Sequence, residues 1–257
     1  MSAAMRRIAF VSPLGGTGQT TVVANLASLW SASGKTCLAV DLCPQNSLGL
    51  HLGQASGTPE GWAPLAATDQ WWAKASLRNS AGVHFLPFGN ALPGQSLEPA
   101  LKRLWEQYPH WLVRQLRDIA LEPGSLVLLD VPPWPQALAA QALACADLVV
   151  VCLDAAPRSA LLQPQIQALL AQAGTGLAML ATRFSPRRDS QRMALDTLQA
   201  QWPDRLCPYV LHEDESMGAA LAAAHCVTGF APQAQSAHDL HGIANWLLAR
   251  CPQERRP

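Results

Sequence analysis

Ser12-Pro13-Leu14-Gly15-Gly16-Thr17-Gly18-Gln19-Thr20-Thr21 stands between a short apolar run, residues 8–11, and a helix-like stretch, residues 22–33. A buried strand, a glycine-rich turn and a helix that opens on hydroxyl residues form the layout of a phosphate-binding loop. Where side chains are absent, backbone N–H groups approach an anion closely, and the helix N-terminus adds partial positive charge. Gly15, Gly16, Thr17, Gly18, Gln19, Thr20 and Thr21 are therefore the expected nucleotide cradle. One charge is missing, because Gln19 stands where such loops carry the lysine that reaches the β and γ phosphates. A neutral amide there removes a charge-assisted contact of about 1.5–3 kcal/mol. Binding then rests on backbone amides and on Mg²⁺, which the Thr20 hydroxyl is placed to ligate.

Working outward, apolar runs at 8–11, 37–41, 83–87, 126–130, 148–153, 177–182 and 209–211 read as buried strands. Helical patterns lie between many of them, at 101–120 with an interruption at Pro109, and at 136–145, 160–172, 190–201 and 239–250. Strands apolar throughout and alternating with helices predict a doubly wound α/β fold with a mainly parallel sheet covered on both faces. Ligands of such sheets sit beyond the carboxyl ends of the strands, where Asp41, Asp130 and Asp154 fall. An aspartate ending a strand, as Asp130 does, holds a magnesium ion through water. Residues 54–80, with Trp62, Trp71 and Trp72, break the alternation and read as a surface excursion or a cluster of short helices. Trp71 and Trp72 cannot both face one core in a regular element. Trp105 and Trp111, on either side of Pro109, read as packing residues.

The 257 residues, 49% hydrophobic, suffice for one large domain spanning 1–257. Eighteen basic and 18 acidic residues balance, so no global field draws the chain to nucleic acid or to an anionic membrane. The seven cysteines are an odd number without a C-x-x-C pair, a pattern of the reducing cytosol. No apolar run reaches the roughly 20 residues of a membrane span, and residues 1–10 do not make a signal peptide. The expected place is cytoplasmic. Arg183, Arg187, Arg188 and Arg192 form a local basic run that reads as a solvated face, and a polar tail covers 253–257.

With Asp41-Leu42-Cys43-Pro44-Gln45-Asn46 and the Asp130-Val131-Pro132-Pro133 strand end, the loop resembles the MinD/ParA group of P-loop ATPases with their deviant Walker A motif. Gly15, Gly16, Gly18, Thr20, Thr21, Asp41, Asp130, Pro132 and Pro133 match the group's pattern. Leu14 falls on its extra lysine, which reaches across a dimer to the partner's nucleotide, Gln19 on the phosphate lysine, and Cys43 on the aspartate that orients the attacking water. A neutral thiol is a weak acceptor. Three functional charges are absent together, so no catalytic residue is assigned, and slow or absent ATP hydrolysis is expected. Gly61-Trp62-Ala63, Leu86-Pro87-Phe88-Gly89 and Leu211-His212-Glu213-Asp214-Glu215-Ser216-Met217 narrow the resemblance to the BcsQ family of bacterial cellulose-synthesis operons.

That resemblance implies ATP or ADP with Mg²⁺, the ion held by Thr20, Asp41 and Asp130. Thr182 and Arg183 lie where relatives place an asparagine that reads the adenine edge, and 212–214 where they close over the base. It further implies a homodimer, which without a lysine at Leu14 needs other contacts, and a small helical BcsR-type partner. The cellulose synthase complex would be reached through protein contacts at the inner membrane or cell pole, with no direct membrane insertion. The role implied is assembling, stabilising or positioning that complex in biofilm formation. Two other readings are an active partitioning or positioning ATPase acting on DNA and a nucleotide-free structural adaptor.

Overall fold

The strands of the computed structural model, which describes residues 5–133, 136–173 and 176–252, are β1 Arg6–Val11, β2 Cys37–Asp41, β3 Leu77–Arg78, β4 His84–Leu86, β5 Leu126–Asp130, β6 Leu148–Asp154 and β7 Gly176–Thr182. They form one sheet in the order β3-β4-β2-β5-β1-β6-β7, parallel except for the edge strand β3. The helices are α1 Gln19–Ala32, α2 Leu48–His51, α3 Trp62–Ala67, α4 Glu98–Gln107, α5 Trp111–Asp118, α6 Ala137–Cys145, α7 Pro157–Ala160, α8 Gln163–Ala173, α9 Asp189–Gln201, α10 Glu215–Ala222, α11 Val227–Phe230 and α12 Gln235–Arg250. This is a doubly wound α/β fold of the P-loop NTPase type.

Alternation along β1 explains both layers of the core. Ile8 and Phe10 point into a cluster with Val23, Leu26 and Trp30 of α1 and with Leu240 and Ile243 of α12. Ala9 and Val11 point to the opposite face, among Leu112 and Leu116 of α5 and Leu138 and Ala142 of α6. Both faces are apolar because helices cover both. β5 and β6 flank β1, and Asp41 is the register partner of Asp130. The loop leaving β1 therefore starts beside two carboxylates.

Three expectations change. Residues 209–211 are not a strand: Leu211 bonds Ala181 and His212 makes an isolated bridge to Phe184, while Pro208 lacks an N–H and Tyr209 turns outward. The helix expected at 160–172 begins at Gln163 as α8, and residue 160 instead ends the short α7, because Pro164 would clash with the carbonyl of residue 160 in a continuous helix. Helix α12 begins at Gln235, ahead of residue 239. Residues 54–80 are the cluster of short helices, α3 and a 3₁₀ turn Trp72–Ala75, with β3 added, and they fold inward. Trp62 and Trp72 are wholly buried, while Trp71 is 38% exposed. The rings of Trp62, Trp72, Trp111 and Phe88 meet at centroid distances of 5.0–5.9 Å, mostly edge to face. Pro109 separates α4 from α5, as its ring requires. The tail 253–257 lies outside the described residues.

Candidate functional site

Gly16 and Gly18 both take φ of +76°, the left-handed region that side chains disfavour, and a Cβ on either would meet nothing within 4 Å. The turn therefore exposes its backbone to a cavity of about 260 Å³ lined by Leu14, Gly15, Gln19, Thr20, Cys43 and Val131, among others. Thr17 is buried; its carbonyl accepts from the Thr182 hydroxyl at 2.6 Å, with Leu153 O at 3.1 Å from the same hydroxyl. Thr182 thus braces the loop from behind. A hydroxyl with one hydrogen already directed at the backbone has none left to donate to a base.

The amide of Gln19 is bonded to the end of β5. Its Nε2 donates to Asp130 Oδ1 at 2.6 Å and to Val131 O at 2.7 Å, and Thr20 Oγ1 donates to Asp130 Oδ2 at 2.6 Å. Both Asp130 oxygens are engaged by the first turn of α1. Asp41 accepts from the N–H of Cys43 at 2.9 Å and of Leu48 at 3.0 Å, and the Trp62 indole donates to the Asp41 carbonyl at 2.6 Å. Thr21 Oγ1 lies 3.4 Å from His51 Nε2, and burial holds His51 down to about 4, so the ring is neutral at physiological pH.

Two sequence motifs meet behind this corner. Trp62 N donates to Pro87 O and Ala63 N to Phe88 O, at 3.0 and 2.9 Å. Gly61 lies so close to Gly89 that a Cβ on it would stand 2.2 Å from the Gly89 nitrogen.

Asp41 and Asp130 are completely buried. Burial raises both pKa values, the charge of Asp130 raises that of Asp41 further, and the hydrogen bonds of Thr20 and Gln19 partly oppose the rise at Asp130. Cys43 is 7% exposed; burial and the two carboxylates push its thiol far up, and Sγ lies 3.5 Å from the Asp130 carbonyl. A thiol held this way cannot act as a base towards water.

On the opposite side of the loop Arg183, itself at φ +55°, donates to Gly16 O at 3.3 Å and pairs with Glu213 at 3.7 Å. Arg188 pairs with the same carboxylate at 2.9 Å, and Arg192 pairs with Asp189. Two carboxylates thus serve three of the four arginines and the run keeps a net positive charge; Arg187 makes no ion pair among the described residues. His212 bonds Asp239 at 2.8 Å, and Asp214 caps α10 at Ser216 N and receives the N–H and hydroxyl of Ser236. These bonds outweigh burial and hold Asp214 down to about 2. Asp154 binds Arg158 and Ser159 of the turn that follows it. The loop, Asp41, Cys43 and Asp130 thus converge, Arg183 touches their rim, and Thr182 supports it from inside. The role of Trp62 as a second-layer contact was not legible, because its partner is a backbone carbonyl 21 positions away. No described helix is long and apolar enough to cross a membrane.

The sequence profile of the family described as Cellulose biosynthesis protein BcsQ matches residues 5–248. The BcsQ protein of Escherichia coli (strain K12) is 32% identical over 247 residues, covering 91% of this chain and 90% of that protein. The chromosome-partitioning ATPase Soj of Thermus thermophilus is 28% identical over 257 residues, covering 97% and 98%. Among solved structures, the septum site-determining protein MinD of Pyrococcus horikoshii, complexed with Mg-ADP, is similar with a TM-score of 0.76 at 22% identity, over 95% of this chain and 97% of that one. A fold shared with MinD, a glycine loop beside two strand-end carboxylates and the profile match over nearly the whole length lead to one assignment: the chain belongs to the BcsQ family of cellulose biosynthesis proteins, of MinD/ParA-like fold.

Proposed function

We propose that this chain, read as one domain, is a nucleotide-binding assembly factor that takes up ATP or ADP with Mg²⁺ at the 15–21 loop, hydrolyses ATP slowly or not at all, and serves to assemble, stabilise or position the cellulose synthase complex. The observation that carries this reading is the divided character of the site. The residues that would hold the metal lie together, Thr20 bonded to Asp130 and Asp41 held by backbone donors, whereas the catalytic side has an amide bonded to Asp130 at Gln19 and a buried thiol at Cys43.

The residues fit a magnesium nucleotide. Two buried carboxylates lie within reach of no described lysine or arginine, beside an open loop of backbone donors. Buried carboxylates without a basic partner take up a proton or coordinate a metal. Bound there, Mg²⁺ would neutralise phosphate charge; Thr20 and the two aspartates would hold it, and Gly15, Gly16 and Gly18 would admit the phosphates to their backbone. In the family context we read the working form as a homodimer. Its paired surface docks a small helical BcsR-type partner and the cytoplasmic side of the synthase at the inner membrane or cell pole. The ion pairs of Arg183, Arg188 and Arg192 reduce, without cancelling, the positive charge that a DNA-cycling role would use.

Calorimetry with Mg·ATP and Mg·ADP, with and without a BcsR-type partner, beside Thr20→Ala and a phosphate-release assay, tests this. Binding weakened by Thr20→Ala, without turnover, is the expected result. Absence of binding under every condition would leave only the scaffold reading, and sustained turnover would overturn the hydrolysis-poor one.

A further inference from the structure

The ligand atoms of Asp41, Cys43 and Asp130 all lie within 4.8 Å of one another. Three atoms in that triangle stand no more than about 2.8 Å from a common centre, and contraction by roughly half an ångström reaches the 2.0–2.3 Å bonds of a zinc-type ion to oxygen and sulfur. The carboxylates are aimed by their own donors: the N–H groups of Cys43 and Leu48 at Asp41, and Gln19 and Thr20 at Asp130. Such donors orient ligands and are part of a working metal site. Cys43 and Thr20 also line the 260 Å³ cavity, so a water or a phosphate oxygen has room to complete a tetrahedron.

Charge and softness point the same way. Neither aspartate forms an ion pair among the described residues, and Gln19, unlike a lysine, brings no positive charge to Asp130. Magnesium gains little from sulfur, whereas zinc, cobalt and cadmium bind thiolate strongly.

We propose that Asp41, Cys43 and Asp130 form a binding site for a thiophilic divalent cation of the zinc class, with Cys43 as a direct ligand. This inference shares two carboxylates with the magnesium reading above and concerns what the thiol adds to them. Binding forms a metal–sulfur bond and releases the thiol proton to solvent; nothing is oxidised or reduced. The chain then discriminates among cations where a third carboxylate would not.

The test is a Co²⁺ titration of the full, nucleotide-free chain under a thiol-free reductant. A sulfur-to-cobalt charge-transfer band in the near ultraviolet should saturate at one ion per chain and persist in excess Mg²⁺. Cys43→Ser should abolish the band and weaken Co²⁺ binding about tenfold or more, while Cys145→Ser, whose thiol is bonded to Ala142 O elsewhere, keeps both. If Cys43→Ser does not fold by circular dichroism, alkylation mapping of the native chain decides: Co²⁺ must protect Cys43 and leave the other cysteines unchanged. A missing band, a band that survives Cys43→Ser, displacement by equimolar Mg²⁺, or unprotected Cys43 would each overturn the inference. Parallel calorimetry with Mg·ATP separates the two readings, since nucleotide binding without the band rejects the thiol ligand alone.

Discussion

Replacing Gln19 by lysine asks whether the amide is what limits nucleotide affinity. In the structure Gln19 bridges Asp130 Oδ1 and Val131 O, at 2.6 and 2.7 Å. A lysine at this position has two destinations, Asp130 in the empty site and the β and γ phosphates in the loaded one. The phosphate contact contributes about 1.5–3 kcal/mol, which alone is roughly 10- to 150-fold in Kd. Because the ammonium must leave a buried carboxylate to make that contact, the net gain falls near the lower end, about tenfold. The gain should be larger for ATP than for ADP, since the γ phosphate is one of the two groups reached. Turnover should stay absent, because Cys43 is untouched. Calorimetry of wild type and Gln19→Lys with both nucleotides in Mg²⁺ reads all three outcomes. A folded variant with unchanged or weaker ATP affinity would refute the idea that the missing lysine sets the affinity, and ATP turnover in it would refute the account of Cys43.

Asp130→Asn should stabilise the empty protein at pH 8 and remove its Mg-nucleotide thermal shift. The folded-state pKa of Asp130 lies above its unfolded value, so protonation supports the native state below the ordinary carboxylate range and that support is lost as pH rises through the folded value. Thermal unfolding of wild type and variant should therefore converge at acid pH; divergence there would contradict the sign. Gly61→Ala should cost about 3 kcal/mol in urea unfolding, because its Cβ would fall on the Gly89 backbone, which cannot step aside as a flexible side chain can. Asp214→Ala should cost about 1 kcal/mol at neutral pH through the lost cap of α10. With a native pKa near 2, that difference is present above the unfolded carboxylate value and shrinks as pH falls toward 2, which denaturation at pH 7, 5 and 3 would follow.

The central strands and the loop were readable because each carries its signal locally. An apolar run closed by Gly, Pro or Asp gave β1, β2 and β5, and Pro109 gave the break between α4 and α5. What was not readable depends on partners far along the chain. Helix α12 starts four residues early because Asp214, 22 positions upstream, receives the Ser236 N–H. Strand β3 is two residues long and exists only as the antiparallel partner of β4. In the site the residue types were legible, but their directions were not. The amide of Gln19 faces Asp130 and the hydroxyl of Thr182 faces Thr17, since each satisfies a buried backbone or carboxylate group first.

The indole of Trp62 ties the strand end at Asp41 to a nest of aromatic rings, with Trp72 and Phe88 edge-on to it and Trp111 tilted against it. Any cation or nucleotide that draws the Asp41 end of β2 also alters the polarity at that N–H and the geometry of energy transfer among the three indoles. The chain would then report its own ligand state through tryptophan fluorescence. Its ultraviolet emission can be followed in a stopped-flow mixer without attaching a dye.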